Sequence, residues 1–162
     1  MEIIDKIQYQ IKNKTFINIL SSNKKLTFSL NNIIIPFGVE IYNTKEIVNL
    51  EIQPKNNESY NYISIIESIE NKIKNSHLDM IKTKNLIPSI KESKYGKILR
   101  THLITKPDIY IKSKLDTKIN LMKSNLKNSE TNVIITLKGI WLNNDSYGLY
   151  WSLSECEIKK MN

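Results

Sequence analysis

The side chains able to perform covalent or metal chemistry are few, and their spacing fits no catalytic motif. His77 and His102 are the only histidines, and neither HExxH nor another metal-ligand spacing surrounds them. Cys156 stands between Glu155 and Glu157, whose charges disfavour a thiolate, and a single cysteine cannot form an intramolecular disulfide. Four glycines in the whole chain leave no phosphate-binding loop. The sequence therefore predicts a protein that is not an enzyme and that needs no metal or organic cofactor.

Positively charged and aromatic side chains are more numerous than residues able to perform covalent or metal chemistry. The 162 residues include 24 Lys plus Arg against 16 Asp plus Glu, and the resulting net charge of +8 favours a polyanionic partner. The chain contains 29 Ile, 20 Asn and no Ala, a bias typical of AT-rich codons, so the genome explains part of the lysine excess. Basic grooves that carry aromatic rings bind single-stranded nucleic acids, because every nucleotide offers a phosphate and a flat base.

Several basic and aromatic residues fall on the polar faces of predicted strands in the C-terminal half. The same placement also suits solvated lysines, or lysines that protect a sheet edge. Trp141 and Trp151 lie instead in phase with the apolar residues of their strands, so core packing and base stacking both remain open for them. The predicted nucleic-acid contacts are Tyr95, Lys97, Arg100, Tyr110, Lys112, Lys114, Lys138, Trp141, Tyr150 and Trp151.

The elements that would position these residues are mostly strands. Alternating polarity predicts strands at 14–20, 26–30, 46–52, 108–115, 131–142 and 147–158, with a break at Asn31-Asn32 and a loop at 143–146. Apolar residues at helical spacing predict one helix over 60–76 with Ser59 as its N-cap. Residues 78–93 read as irregular. The order of elements predicts a single domain over 1–162, mainly β with one or two helices. We expect an OB-fold, a five-stranded Greek-key barrel with additional strands.

The closing segment resembles the last hairpin of single-stranded DNA-binding proteins of the phage T7 type. This segment runs from Leu137-Lys-Gly-Ile-Trp141 through an Asn-Asn-Asp-Ser loop to Tyr147-Gly-Leu-Tyr-Trp151. Three further features agree: Pro36-Phe-Gly-Val-Glu-Ile-Tyr42 followed by an alternating strand, the predicted helix, and Pro107-Asp-Ile-Tyr-Ile-Lys112. Relatives of these proteins occur in large cytoplasmic DNA viruses, and the AT-rich composition also suits a cytoplasmic linear plasmid.

The resemblance implies an OB-fold and sequence-independent binding of single-stranded DNA during replication or recombination. It also implies self-association and replication partners such as a DNA polymerase and a helicase, although the chain ends in Lys-Lys-Met-Asn without the acidic tail that recruits them. No signal peptide or membrane span is present in the sequence, so a cytoplasmic location is expected. Two alternatives remain: an RNA-binding or transcription-complex OB subunit, and a nucleic-acid-associated structural or virion protein.

Overall fold

The chain folds around one extended β-sheet, as a computed structural model that describes residues 2–103, 108–111, 114–118 and 126–160 shows. In this part of the chain, twelve strands pair with one another and accompany two helices and a short 3-10 helix at Asp79–Ile81. The helices are α1 (Glu2–Asp5) and α2 (Asn57–Lys74). The strands are β1 (Ile7–Asn13), β2 (Phe16–Ser21), β3 (Leu26–Ile35), β4 (Val39–Tyr42), β5 (Lys45–Ile52), β6 (Asn85–Leu86), β7 (Ile90–Glu92), β8 (Lys97–His102), β9 (Asp108–Ile111), β10 (Lys114–Lys118), β11 (Ser129–Leu142) and β12 (Ser146–Lys160).

Five of these strands close into a ring. β11 pairs antiparallel with β3 and with β12, β5 pairs antiparallel with β3 and with β8, and β8 meets β12 in parallel at His102 and Ser152. This closed five-stranded arrangement confirms the predicted OB-like barrel. The remaining strands extend the sheet beyond the ring: β1 and β2 continue from the distal part of β11, and β9 and β10 continue from the end of β12.

The core of the barrel follows from alternation along the strands. In β3, Leu26, Phe28 and Leu30 are buried while Thr27 and Ser29 are exposed, as a strand with one buried face requires. Helix α2 adds a row of buried isoleucines to the same hydrophobic cluster, namely Ile63, Ile66, Ile69 and Ile73. Burial of each such side chain contributes about 1.5–3 kcal/mol relative to exposure, so the helix and the barrel stabilise each other.

Helix α2 confirms the predicted helix but begins earlier, and its N-cap is Asn56 rather than Ser59. The Asn56 side chain accepts a hydrogen bond from the Ser59 backbone N–H and donates to the carbonyl oxygens of Asn31 and Asn32, at 2.7 and 3.1 Å. Ser59 is buried, and its hydroxyl donates to the Asn31 carbonyl at 2.8 Å. The start of the helix is therefore bonded to β3.

The predicted break at Asn31-Asn32 is wrong, because β3 runs through both residues. Asn32 has a φ of 56°, which asparagine tolerates better than most residues, and the register with β11 shifts at this point. The predicted single strand at 108–115 is wrong as well. β9 and β10 are antiparallel neighbours, with Lys114 opposite Ile111. Five further strands in the described part of the chain lie outside the predicted ones, namely β1, β4, β6, β7 and β8.

Removal of the cap side chain tests the connection between α2 and β3. We expect Asn56→Ala to lower the free energy of unfolding by about 1–2 kcal/mol, because the helix loses its cap and the β3 carbonyls lose their donor. Urea denaturation measures the effect. The matched control is Asn57→Ala at the exposed neighbouring position, and equal losses in the two variants would contradict the role assigned to Asn56.

Candidate nucleic-acid interface

The outer side of the barrel carries a groove of about 800 Å³. The β11–β12 hairpin contributes the largest share of its lining residues, and β8, the β4–β5 hairpin, the segment 87–91 and the start of β2 contribute the others. We call it the aromatic–basic groove. It is lined by Thr15, Phe16, Tyr42, Asn43, Lys45, Asn49, Ile87, Pro88, Ser89, Lys91, Ile98, Arg100, His102, Trp141, Leu142, Asn143, Leu149, Tyr150 and Trp151.

Alternation along β8 determines which of its side chains reach the groove. Ile98, Arg100 and His102 line it, whereas Leu99 and Thr101 are buried on the opposite face. Lys97 shares the phase of Leu99 and lies outside the groove. Its ammonium forms an ion pair with Glu92 at 3.3 Å and lies 5.7 Å from the centroid of the Tyr60 ring. The structure thus separates Lys97 from Arg100, which the sequence placed in one group.

A register shift in β11 places the tryptophans on different faces of the hairpin. Leu137 lies opposite Trp151 and Gly139 lies opposite Tyr150, so Lys138 is an extra residue in β11. Beyond this bulge Trp141 lies opposite Gly148, on the side of Tyr150 and not of Leu137. The predicted phase of Trp141 is therefore wrong: the side chain is half-buried and lines the groove, whereas Trp151 is 1% exposed.

Two glycines leave room for the aromatic rings at this site. A Cβ on Gly148 would lie 2.6 Å from the Trp141 indole, and a Cβ on Gly139 would lie 2.8 Å from the Phe16 ring and 2.1 Å from the Ile17 carbonyl oxygen. Because any larger residue would collide at either position, the glycines allow β2 and the Trp141 ring to approach the hairpin closely. This approach brings Phe16, Trp141 and Tyr150 into one groove.

Two of the three described cations that line the groove lie over aromatic rings. The Arg100 guanidinium carbon is 4.7 Å from the Tyr42 ring centroid, and the Lys45 ammonium nitrogen is 5.6 Å from the Tyr150 centroid. The His102 ring stacks on Tyr150 with centroids 4.2 Å apart and an interplanar angle of 8°. Phe16 meets the Tyr150 ring edge-on at 6.0 Å. Tyr150 is therefore the central ring of the groove.

The described charged side chains that line the groove are all positive. Lys45, Lys91 and Arg100 line it, and no Asp or Glu does among the described lining residues. Burial, together with the charges of Lys45 and Arg100, lowers the pKa of His102 to about 4, so its imidazole is neutral at pH 7. Its Nδ1 is buried without a hydrogen-bond partner in the described part of the chain. The described lining of the groove is therefore positively charged and complementary to a negative charge.

A buried hydrogen-bond network fixes the segment 87–91 against the barrel. The Trp151 indole N–H donates to the Ser89 hydroxyl at 3.0 Å. The Ser89 backbone N–H donates to the Glu70 carboxylate of α2 at 2.9 Å, and the Ser89 hydroxyl lies 3.3 Å from the same oxygen. Glu70 is only 4% exposed, and this burial raises the pKa of its carboxyl. Helix, loop and barrel are connected at this side of the groove.

Two other predicted contacts with described side chains, Tyr95 and Lys138, are not among the residues that line the groove. Tyr95 is 64% exposed at the turn before β8. Lys138 accepts a hydrogen bond at its backbone carbonyl from the Lys25 ammonium at 2.6 Å. Lys112 lies outside the described residues, and for Tyr110 and Lys114 the description covers the strands β9 and β10 but not the side chains.

Sequence reasoning missed Phe16, Tyr42, Lys45, Lys91 and His102 as members of this site. A signal was available for His102, because Ile98, Arg100 and His102 alternate with Leu99 and Thr101 as in a half-buried strand. The other four come from elements distant in sequence, and only the closed sheet brings them together.

The described residues contain no group of three or more His, Cys, Asp or Glu side chains that could hold a metal ion. Burial raises the pKa of the Cys156 thiol to about 12, so this cysteine stays protonated at neutral pH. No helix in the described part of the chain is long and apolar enough to cross a membrane.

The fold has close counterparts among solved structures, although no protein-family model and no curated protein sequence matches the chain significantly. The C-terminally truncated single-stranded DNA-binding protein of bacteriophage Enc34 aligns with a TM-score of 0.61 and 14% identity, over 98% of this chain and 97% of that chain. The same phage protein in complex with single-stranded DNA aligns with a TM-score of 0.60, 14% identity and the same coverage. These similarities show that the two proteins share a fold.

The lowered pKa of the half-buried His102 predicts a loss of stability in acid. The unfolded chain takes up a proton near the ordinary histidine pKa of 6.5, whereas the folded chain takes it up only near pH 4. The free energy of unfolding should therefore fall as the pH is lowered from 6.5 to 4, and His102→Gln should remove this part of the pH dependence. Urea denaturation across this pH range measures it. The control is His77→Gln at an exposed histidine, and an unchanged acid branch in His102→Gln would contradict the assignment.

Proposed function

We propose that this protein binds single-stranded DNA without sequence specificity, through the aromatic–basic groove. The observation that carries the proposal is the composition of the groove: three cations and five aromatic rings line it, together with His102 and no described acid. Cations suit phosphates and aromatic rings suit bases, and both features of the ligand are common to all nucleotides. The shared fold with a phage protein solved in complex with single-stranded DNA supports the same proposal.

Each group in the groove has a proposed role. Lys45, Lys91 and Arg100 neutralise phosphates, while bases stack on Tyr150 and on the half-buried Trp141. Trp151 supports the groove indirectly. Its ring is buried, and its indole N–H donates a hydrogen bond that holds Ser89 in place.

Further predicted contacts would extend the path of the DNA strand. We retain Tyr95, Lys138, Tyr110, Lys112 and Lys114 as proposed contacts of this kind. Lys97 is the weakest member of the predicted set, because Glu92 already neutralises its charge.

The proposed biological role is the coating and protection of single strands during DNA replication or recombination, as in proteins of the phage T7 type. A viral or linear-plasmid origin, a cytoplasmic location, and DNA polymerase or helicase partners belong to the same proposal. The absence of enzymatic activity is also part of it. The direct test of the proposal addresses DNA binding.

The dependence of affinity on salt tests the electrostatic part of the proposal. Contact of Lys45, Lys91 and Arg100 with phosphates predicts that log affinity falls linearly with log salt, with a slope of about −0.7 for each contact and about −2 in total. Arg100→Gln should make the slope shallower by about 0.7. Fluorescence titration of a labelled single strand at several salt concentrations measures the slope.

Controls for the salt experiment come from the chain and from the ligand. Lys55→Gln removes a charge of the same sign from an exposed position outside the groove and should leave the slope nearly unchanged. Duplex DNA and RNA of equal length complete the titration. Tighter binding of RNA would favour the alternative of an RNA-binding subunit, because only RNA offers a 2′-hydroxyl. A flat salt response with all three ligands would overturn the proposal.

Removal of the Tyr150 ring tests the proposed stacking of DNA bases. We expect Tyr150→Leu to weaken single-strand binding about ten- to a hundredfold, because base stacking on an aromatic ring is worth about 1–3 kcal/mol. The matched control is Tyr62→Leu, which removes another half-buried tyrosine that meets a phenylalanine ring edge-on but lies outside the groove. Affinity and melting temperature are measured for both variants. Equal affinity losses, or a loss of stability alone in Tyr150→Leu, would rule out stacking on this ring.

A further inference from the structure

The strand β1 ends the sheet on the side opposite to β10. Among the described strands, only β2 pairs with it, so one edge of β1 has no strand partner in the described part of the chain. Unpaired edges of this kind offer backbone donors and acceptors to another strand. Ile11 in this strand is 62% exposed, which is unusual for an isoleucine, and Gln8 and Gln10 are exposed as well.

The sequence of β1 has two-fold symmetry. Residues 7–11 read Ile-Gln-Tyr-Gln-Ile, which is the same in both directions about Tyr9. The regular part of the edge coincides with this segment, because the register with β2 shifts between Ile11 and Asn13 and α1 precedes the strand. A bulge of this kind ends regular pairing.

We propose that β1 pairs antiparallel with β1 of a second copy of this chain, centred on Tyr9. Two-fold contacts use the same surface on both copies, so the surface must be complementary to itself. With Tyr9 at the axis, Ile7 of each copy lies opposite Ile11 of the other, and Gln8 lies opposite Gln10. Apolar residues thereby meet apolar residues on one face of the shared sheet, and amides meet amides on the other face.

The small area of this contact makes the association weak. A pair of five-residue edges buries much less than the ~1,200 Å² typical of stable complexes, so the dimer forms only at high protein concentration. The proposed dimer uses β1, whereas the proposed DNA contacts use the aromatic–basic groove, so the two processes are separable. The proposal does not rest on DNA binding, and it is tested on the DNA-free protein.

Disulfide trapping tests the register directly. Opposite residues in an antiparallel pair have Cβ atoms about 4.5–5.5 Å apart, close enough for a disulfide after small adjustments. Gln8→Cys and Gln10→Cys variants are prepared separately and then mixed under mild oxidation. The mixture should yield a covalent dimer, whereas each variant alone should yield far less, because its cysteine lies opposite a glutamine. The native Cys156 is buried and does not compete. Equal yields in the three samples, or no dimer in any of them, would overturn the proposed register.

Sedimentation velocity of the full chain at high concentration provides the second measurement. Ile11→Lys should abolish the concentration-dependent dimer, because it places a charge opposite Ile7 of the other copy. Ile41→Lys is the matched control: Ile41 is 71% exposed on β4 and lies outside β1, so this variant should associate like the unmodified chain. Association that Ile11→Lys leaves intact, or that Ile41→Lys abolishes instead, would contradict the proposal.

Discussion

The pairing of β11 with β12 is the constraint on which the rest of the structure depends. These two long strands close the barrel, since β11 reaches β3 and β12 reaches β8, and their ends carry the additional strands beyond the ring. The register shift at Lys138 then turns Trp141 toward Tyr150. Because of this one extra residue, the β11–β12 hairpin has a packed face at Trp151 and an aromatic outer face at Trp141 and Tyr150. The groove is a consequence of this bulge.

The free protein retains unfavourable electrostatics in the groove. Partial burial, together with the charges of Lys45 and Arg100, lowers the pKa of His102 to about 4, because both a less polar surrounding and nearby cations disfavour a further positive charge. Cation–π contacts with Tyr42 and Tyr150 offset part of the repulsion, but exposed contacts of this type are worth only about 0.5–1 kcal/mol each. A bound phosphate would therefore be favoured both by direct attraction and by relief of this repulsion.

The parts of the fold that follow local periodicity are those that the sequence predicts. Helix α2 has an unbroken helical period, and the order of the elements was sufficient to predict the barrel. The break assigned at Asn31-Asn32 and the phase assigned to Trp141 were wrong for one reason: bulges shift a strand by one residue and reverse its faces. The groove itself could be predicted only in part, because Phe16, Tyr42 and Lys91 reach Arg100 through pairings between distant strands.

The arrangement of the groove also bears on specificity in the proposed complex. Its charged groups are the long side chains of Lys45, Lys91 and Arg100, and flexible side chains of this kind can follow different phosphate positions at little cost. The fixed elements are the ring stack at Tyr150 and the buried connection from Glu70 through Ser89 to Trp151, which shape the groove but do not read the edge of a base. Sequence recognition requires rigid donors and acceptors placed against base edges. In the proposed complex, aromatic rings and cations lining one groove would instead favour ligands that expose bases and phosphates together, as single strands do and duplexes do not.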